Sequence, residues 1–323
     1  MSLTCTLTSA SGSAPPARTN HASVWYDNKF VVYGGNAESK YQCFDDLWVL
    51  DTSSMTWSQP TTSGASPGPR CHHTMSLIGN KAYVFGGWTG KRRCNFLHSL
   101  DLDNWKWEDL TAKMSAVDPH SSHAATVIDS TTILVLGRGE TGTHAKYGCN
   151  IDFLDTKKLQ WTTFPGSSIS RAGHSITFQP DVSTRYSVAF GGRQRHMVEH
   201  IVCKPKGSIP PVFHSKIPDE ILKASKKVEV PPGRSYHTAT DVNGMLLIYG
   251  GFIEGKSVRG LVDGVDQVFL FDVKGNRWLI PEKKGDWPHR AGHTAARISE
   301  RSVLLFGGEH AKKYYSDVHV ISW

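Results

Sequence analysis

A basic residue followed three positions later by histidine occurs six times along this chain, as Arg18/His21, Arg70/His73, His120/His123, Arg171/His174, Arg234/His237 and Arg290/His293. Arginine presents a planar fork of donors that fits carboxylates and phosphates, and imidazole can carry protons or ligate a metal. A metal centre needs three or four ligands converging at short range. Residues holding one position of a repeat are instead spread round it, so these histidines are expected to be structural groups bonding neighbouring backbone. His196 and His200 are too loosely placed for a ligand set, and His72 beside His73 is one repeat position with an extra histidine. Catalytic patterns are missing: there is no GxSxG, Walker loop, HExxH, or GxGxxG opening a helix. The chemistry to expect is recognition, with no catalytic residue, metal or cofactor.

The elements that must position these groups follow in a fixed order. After each motif a β-prone apolar run ends in a glycine pair or a close variant: VVYGG at Gly34-Gly35, YVFGG at Gly86-Gly87, LVLGRG at Gly137, VAFGG at Gly191-Gly192, LIYGG at Gly250-Gly251 and LLFGG at Gly307-Gly308. An alternating strand then ends in an acid and a tryptophan, at Trp57, Trp107, Trp161 and Trp278. Alternation such as Leu47 and Val49 against Trp48 and Leu50 makes strands that pack on both faces. A period of roughly fifty residues with short strands in each unit is the pattern of a radial repeat. Glycine suits the turn because the chain leaves a crowded inner strand there. In the third unit Arg138 has entered that turn.

Together these features resemble the kelch repeat over essentially the whole chain. The resemblance implies an all-β fold, a six-bladed kelch β-propeller with four-stranded antiparallel blades, strand a after the Arg-x-x-His and strand b ending at the glycines. The last unit stops at YSDVHVISW, and LTCTLTSASGSAPPAR aligns with WSQPTTSGASPGPR. Residues near 3–8 are therefore expected to complete blade six, so that 1–323 is one domain with its edges closed. Blade four is irregular, with sixty-three residues between His174 and His237, an insertion over about 193–230 and a short helix expected in DEILKASKK after Pro218.

In an antiparallel blade the loop entering strand a and the loop leaving strand b emerge on one face. The basic positions and those after the glycines should then ring one mouth of the channel. Candidate ligand-binding residues are Arg138 and Arg193 first, then Arg234 with Tyr236, then Arg171, Arg70, Arg18 and Arg290, with Trp88 and Phe252 holding apolar parts of a ligand. Such a ring would give a confined positive potential.

Composition is consistent with a turn-rich globular protein, with 39% hydrophobic and 20% charged residues and 30 glycines in 323. The start has no signal-peptide pattern and apolar runs are strand-sized, so a non-membrane, cytoplasmic or nuclear location is expected. Six scattered cysteines without CxxC pairs read as free thiols. The net charge of +7 suggests an acidic partner, and 193–230 carries +4 of it. For nucleic acid that charge is modest, and tryptophans at blade starts are core residues rather than a stacking platform.

The expected function is a protein-interaction module, a monomeric domain taking an acidic peptide or a C-terminal carboxylate in the arginine-rich mouth. GRSYHT and DTSSMTWSQP look like kelch-domain proteins lacking a BTB segment, which include substrate receptors of ubiquitin ligases. No cullin- or elongin-binding helical box is read after Trp323. The alternatives are a multivalent cytoskeletal or trafficking scaffold, and a propeller enzyme of oxidase or lyase type.

Overall fold

The alternating strands pair into sheets within each repeat. The computed structural model describes residues 1–38, 42–138, 148–164, 171–179, 186–192, 198–202, 212–214, 231–254, 259–260 and 268–323. Within them, six sheets have four or five strands and two are small loop ribbons. In the first sheet, strand a is Ala22–Tyr26, b is Lys29–Tyr33, c is Leu47–Asp51 and d is Thr56–Ser58, all antiparallel. The other sheets repeat this order, with first strands Thr74–Ile78, Ala124–Asp129, His174–Gln179, Thr238–Val242 and Thr294–Ser299. Each first strand touches the first strands of the sheets before and after it, and the last touches the first, so the arrangement is circular. The chain is an all-β propeller, and among the described residues the helical structure is a single 3₁₀ turn, Thr111–Lys113. No helix among them is long and apolar enough to cross a membrane.

The circuit is closed by backbone hydrogen bonds at the axis. Asn20 N–H donates to Gly292 O, His72 to Asn20, Ser122 to His72, Gly173 to Ser122, Tyr236 to Gly173, and Gly292 to Tyr236, at 2.7–2.9 Å. These residues sit between the basic residue and the histidine of their motifs. All take positive φ, including 55° at Asn20, 56° at His72, 53° at Ser122 and 60° at Tyr236. That is the left-handed region, which side chains enter at a cost, and the collar of bonds holds them in it.

The core lies between sheets, not within one. Phe30 and Val32 pack with Leu304 and Phe306 of the last sheet, whereas Val31 and Tyr33 pack with Ala82 and Val84 of the second. This follows from the period of two, which sends successive side chains to opposite faces. Each strand-d tryptophan rests on the aromatic residue ending strand b of the preceding sheet, as in Trp57 on Phe306 at 4.9 Å and Trp107 on Tyr33 at 5.2 Å. Trp161 on Phe85 at 4.6 Å and Trp278 on Phe190 at 5.0 Å repeat it.

The N-terminal strand Ser2–Thr8 pairs antiparallel with Val318–Ser322 and, on its other side, parallel with Glu282–Gly285. Parallel additions also extend the first two sheets, Ser11–Gly12 beside Thr56–Trp57 and Ser63–Gly64 beside Lys106–Trp107. In the irregular fourth repeat, Val198–Val202 and Val212–His214 act as the outer strands. The helix expected after Pro218 lies outside the described residues.

Candidate functional site

The loops entering strand a and leaving strand b meet on one face, because the residue after each basic position pairs with the residue after the glycines. Thr19 bridges Asn36, Cys71 bridges Trp88, Ala291 bridges Glu309, and Ser235 pairs with Phe252. This face holds the collar at the axis and the turns around it.

The arginines do not line it. Arg18, Arg70, Arg234 and Arg290 are 0% exposed and Arg171 is 2% exposed. Each turns inward and donates from Nη1 to the carbonyl of the first glycine of its own repeat. The partners are Gly34 (2.9 Å), Gly86 (3.0 Å), Gly191, Gly250 (3.0 Å) and Gly307 (2.9 Å). Its own carbonyl then accepts from the second glycine of the preceding repeat, as Arg70 O does from Gly35 N at 2.8 Å. Arg18 and Arg290 add bidentate pairs with Asp46 and Asp317. Burial raises the Asp46 carboxyl, but the hydrogen bonds and charge of Arg18 outweigh it and hold the group below the usual range. Phe44, Phe269 and Tyr315 lie 4.5–4.9 Å under Arg18, Arg234 and Arg290. Five of the seven mouth arginines are therefore internal clips, and the expectation that they face a ligand is corrected. A guanidinium, with five donors in a planar fork, can satisfy several carbonyls and a carboxylate at once inside a fold.

The clip explains the glycines. A Cβ on Gly34 (φ 65°) would lie 2.6 Å from Arg70 O, and one on Gly35 (φ 98°) 2.8 Å from His21 Cβ. In the third repeat Arg138 takes the second glycine's place at the end of strand Thr132–Arg138, with a register irregularity after Leu136 and backbone pairing to Gly148. The Arg138 side chain and all of Arg193 lie outside the described residues.

The motif histidines form a buried ring under the collar. Burial, aided by neighbouring arginines or histidines, drives the pKa of His21, His73, His123, His237 and His293 well below the ordinary range and that of His174 to about 3. Four bond the hydroxyl following the histidine of the preceding sheet. His21 meets Thr294 at 2.9 Å, His123 meets Thr74 at 2.9 Å, His237 meets Ser175 at 2.9 Å and His293 meets Thr238 at 3.0 Å. The corresponding residues for His73 and His174 are Ala22 and Ala124, and the Nε2 atoms of those two histidines have no partner. Among the described residues no group of His, Cys, Asp and Glu could hold a metal ion.

Tyr236 is the candidate residue that the structure brings to the axis. Its hydroxyl lies 3.2 Å from Ser122 Oγ across the collar, its ring 5.5 Å from His72 and 6.2 Å from Phe252. A Cβ on Gly173 would meet that ring at 3.1 Å, so the small residue there makes room for it. Below lies a cavity of about 130 Å³ between the collar and the histidines. Trp88 and Phe252 are half-buried in the surrounding turns. Positive charge on this face comes from turns outside the repeated motif: exposed Lys91 and Arg92 with half-buried Arg93, and exposed Lys312 and Lys313. No repeated spacing marks them, because turn residues after the glycines differ in every repeat.

The third repeat departs again at His120. In place of an arginine clip, its Nε2 pairs with the buried Asp152 carboxylate at 3.0 Å, and Asp152 also accepts from Thr163 Oγ1 at 2.5 Å.

Comparison with known proteins agrees with this architecture. The KLHDC2/KLHL20/DRC7 kelch-repeats domain model matches residues 1–192. Host cell factor of Drosophila melanogaster is 36% identical over 149 aligned residues, covering 39% of this chain and 10% of that protein. Kelch domain-containing protein 2 of Bos taurus is 32% identical over 145, covering 38% and 36%. The matches thus span from about a tenth to a little over a third of these relatives' own length. A solved structure described as "Structure of YjhT" superposes with a TM-score of 0.71 at 16% identity, over 94% of this chain and 95% of that one, a likeness of fold. With the family model matching well over half the chain and the repeat geometry in place, the protein belongs to the KLHDC2/KLHL20/DRC7 kelch-repeats domain family.

Proposed function

We propose that this chain is a protein-interaction domain whose collar face takes an extended acidic segment or a C-terminal carboxylate. The observation that carries the reading is Tyr236 lying across the axis with Phe252 and His72 beside it, inside turns bearing Lys91, Arg92, Arg93, Lys312 and Lys313. An aromatic floor within a basic rim suits a short chain end, holding apolar side chains at the centre and the charge at the edge. Arg138 and Arg193, which the sequence puts in or just after the glycine turns, are proposed as further ligand contacts. We further read the six sheets as six blades of one ring over 1–323, closed at the axis by the collar bonds. A different number of sheets round the axis in a crystal structure would overturn that count. Kinship with kelch domain-containing proteins supports a receptor role, here that of a ubiquitin-ligase substrate receptor, with the propeller as the reading module.

The test is a peptide library presented with free and amidated C-termini. Free acidic or carboxylate-ended peptides should bind, and Tyr236→Ala, Arg193→Ala or Arg138→Ala should weaken them about tenfold or more while leaving the melting temperature nearly unchanged. Equal binding of free and amidated forms would remove carboxylate reading. Unchanged affinity in all three variants would remove the site.

A further inference from the structure

Two cysteines of different repeats meet on the collar face. Cys43 lies after the glycine turn of the first repeat, bridged to Asn36, and Cys71 follows the clip arginine of the second, bridged to Trp88. Their sulfurs are 3.3 Å apart, and Cys43 Sγ is also 3.4 Å from Trp88 O. Cys43 is half-buried and Cys71 fully buried. We propose that Cys43 and Cys71 form a hydroperoxide-reactive dithiol that closes to a disulfide between neighbouring repeats.

The roles are unequal. The hydrogen bond between the two sulfurs lowers the Cys43 thiol's pKa against the effect of burial, with the Arg70 charge adding to the lowering, so Cys43 is the more readily ionised of the pair. The same hydrogen bond to Cys43, together with burial and the adjoining Cys43 charge, acts the other way on Cys71 and raises its pKa, which keeps its proton on. The positive Arg70 beside the pair opposes a soft metal cation and favours an anionic sulfur. In the first step the Cys43 thiolate attacks one oxygen of a hydroperoxide. The O–O bond breaks, Cys43 becomes a sulfenic acid, and the other oxygen leaves as hydroxide or alkoxide and takes a proton. In the second, Cys71 sulfur attacks Cys43 sulfur, the S–S bond forms, and hydroxide leaves with the Cys71 proton as water. The two thiols thereby supply the two electrons that reduce the peroxide. Closing from 3.3 Å to a bond of about 2.05 Å needs little more than an ångström of side-chain movement.

The molecule carries its own controls. Cys5 is buried with its thiol pushed up to about 12, and burial likewise raises buried Cys94. Reduced protein treated with hydrogen peroxide, then blocked with N-ethylmaleimide and digested, should yield a Cys43–Cys71 linked peptide. That peptide should appear at least about tenfold faster than oxidation of Cys5 or Cys94 and revert with dithiothreitol. Cys71→Ser should leave a sulfenic acid on Cys43 that dimedone captures, with a circular dichroism spectrum showing that the variant is folded. Cys43→Ser should abolish the linked peptide. A bridge from Cys43 to any other cysteine, oxidation of Cys43 to sulfinic acid without a bridge in the native chain, or reactivity no greater than that of Cys94 would overturn the proposal.

Discussion

Arg234 and Tyr236 stand two positions apart in the same motif and do opposite things. Arg234 is wholly buried, bonded to Gly250 O and stacked on Phe269, so it belongs to the fold. Tyr236 crosses the axis at the surface of the collar. Arg234→Ala should therefore cost about 3 kcal/mol in urea unfolding, since it strands buried carbonyls and leaves a hole, while Tyr236→Ala should move the same midpoint little. The reverse ranking would return Arg234 to the mouth. At the histidine ring, the missing hydroxyls opposite His73 and His174 are a local defect. Ala22→Ser and Ala124→Ser, copying Ser175 and its bond to His237, should each raise stability by about 1 kcal/mol. A loss of stability in both would show that those imidazoles are satisfied some other way. Residue types and spacing made the motif plain in the sequence, but the direction of the arginine side chain depends on a glycine carbonyl that only the pairing of strands a and b in its own repeat brings beside it.

Among the elements, the strand Ser2–Thr8 carries the most consequence for its size. Leu3 and Cys5 are 0% and 1% exposed, and the strand is hydrogen-bonded on both sides. Deleting residues 1–9 should uncover Val318–Ser322 as an open edge, lower the melting temperature by more than about 10 °C and promote aggregation. A synthetic peptide of the deleted residues should restore much of the loss when added in trans. Scanning fluorimetry with and without the peptide checks both, and an unchanged melting temperature on deletion would remove the strand from the closing role. The strand was readable because LTCTLT sits where WSQPTT sits one repeat later. The parallel additions at Ser11–Gly12, Ser63–Gly64 and Glu282–Gly285 were not, since two to four polar residues carry no alternation and acquire strand geometry only from the neighbour they lie against.

For the molecule as a whole, six neutral imidazoles inside one ring make stability a function of pH. Their folded pKa values lie below the ordinary value, so in the window beneath about 6.5 the unfolded chain takes up protons that the folded chain refuses. Stability is therefore full above that window and falls as the pH drops through it, down to about 3 for His174. Each histidine contributes a slope of up to about 1.4 kcal/mol per pH unit. The paired Asp46 and Asp317, held low against burial by their arginines, extend the loss at more acid pH. Urea midpoints at pH 7.5 and 5.5 should differ steeply, the acid one lower; equal midpoints would mean that the ring protonates while folded. By itself the sequence determined the repeat, its strands, the glycine turns and the tryptophan positions. Each of these is a local demand of period-two burial or backbone conformation that recurs every fifty or so residues. Only the tertiary structure decided which polar groups face inward. That choice is made by contacts that close only when the strands and repeats come together: Arg70 against Gly86, Cys43 against Cys71, Tyr236 against Ser122. A periodic sequence states that such contacts will exist, but not which side chain will be turned into the core and which will be left at the axis.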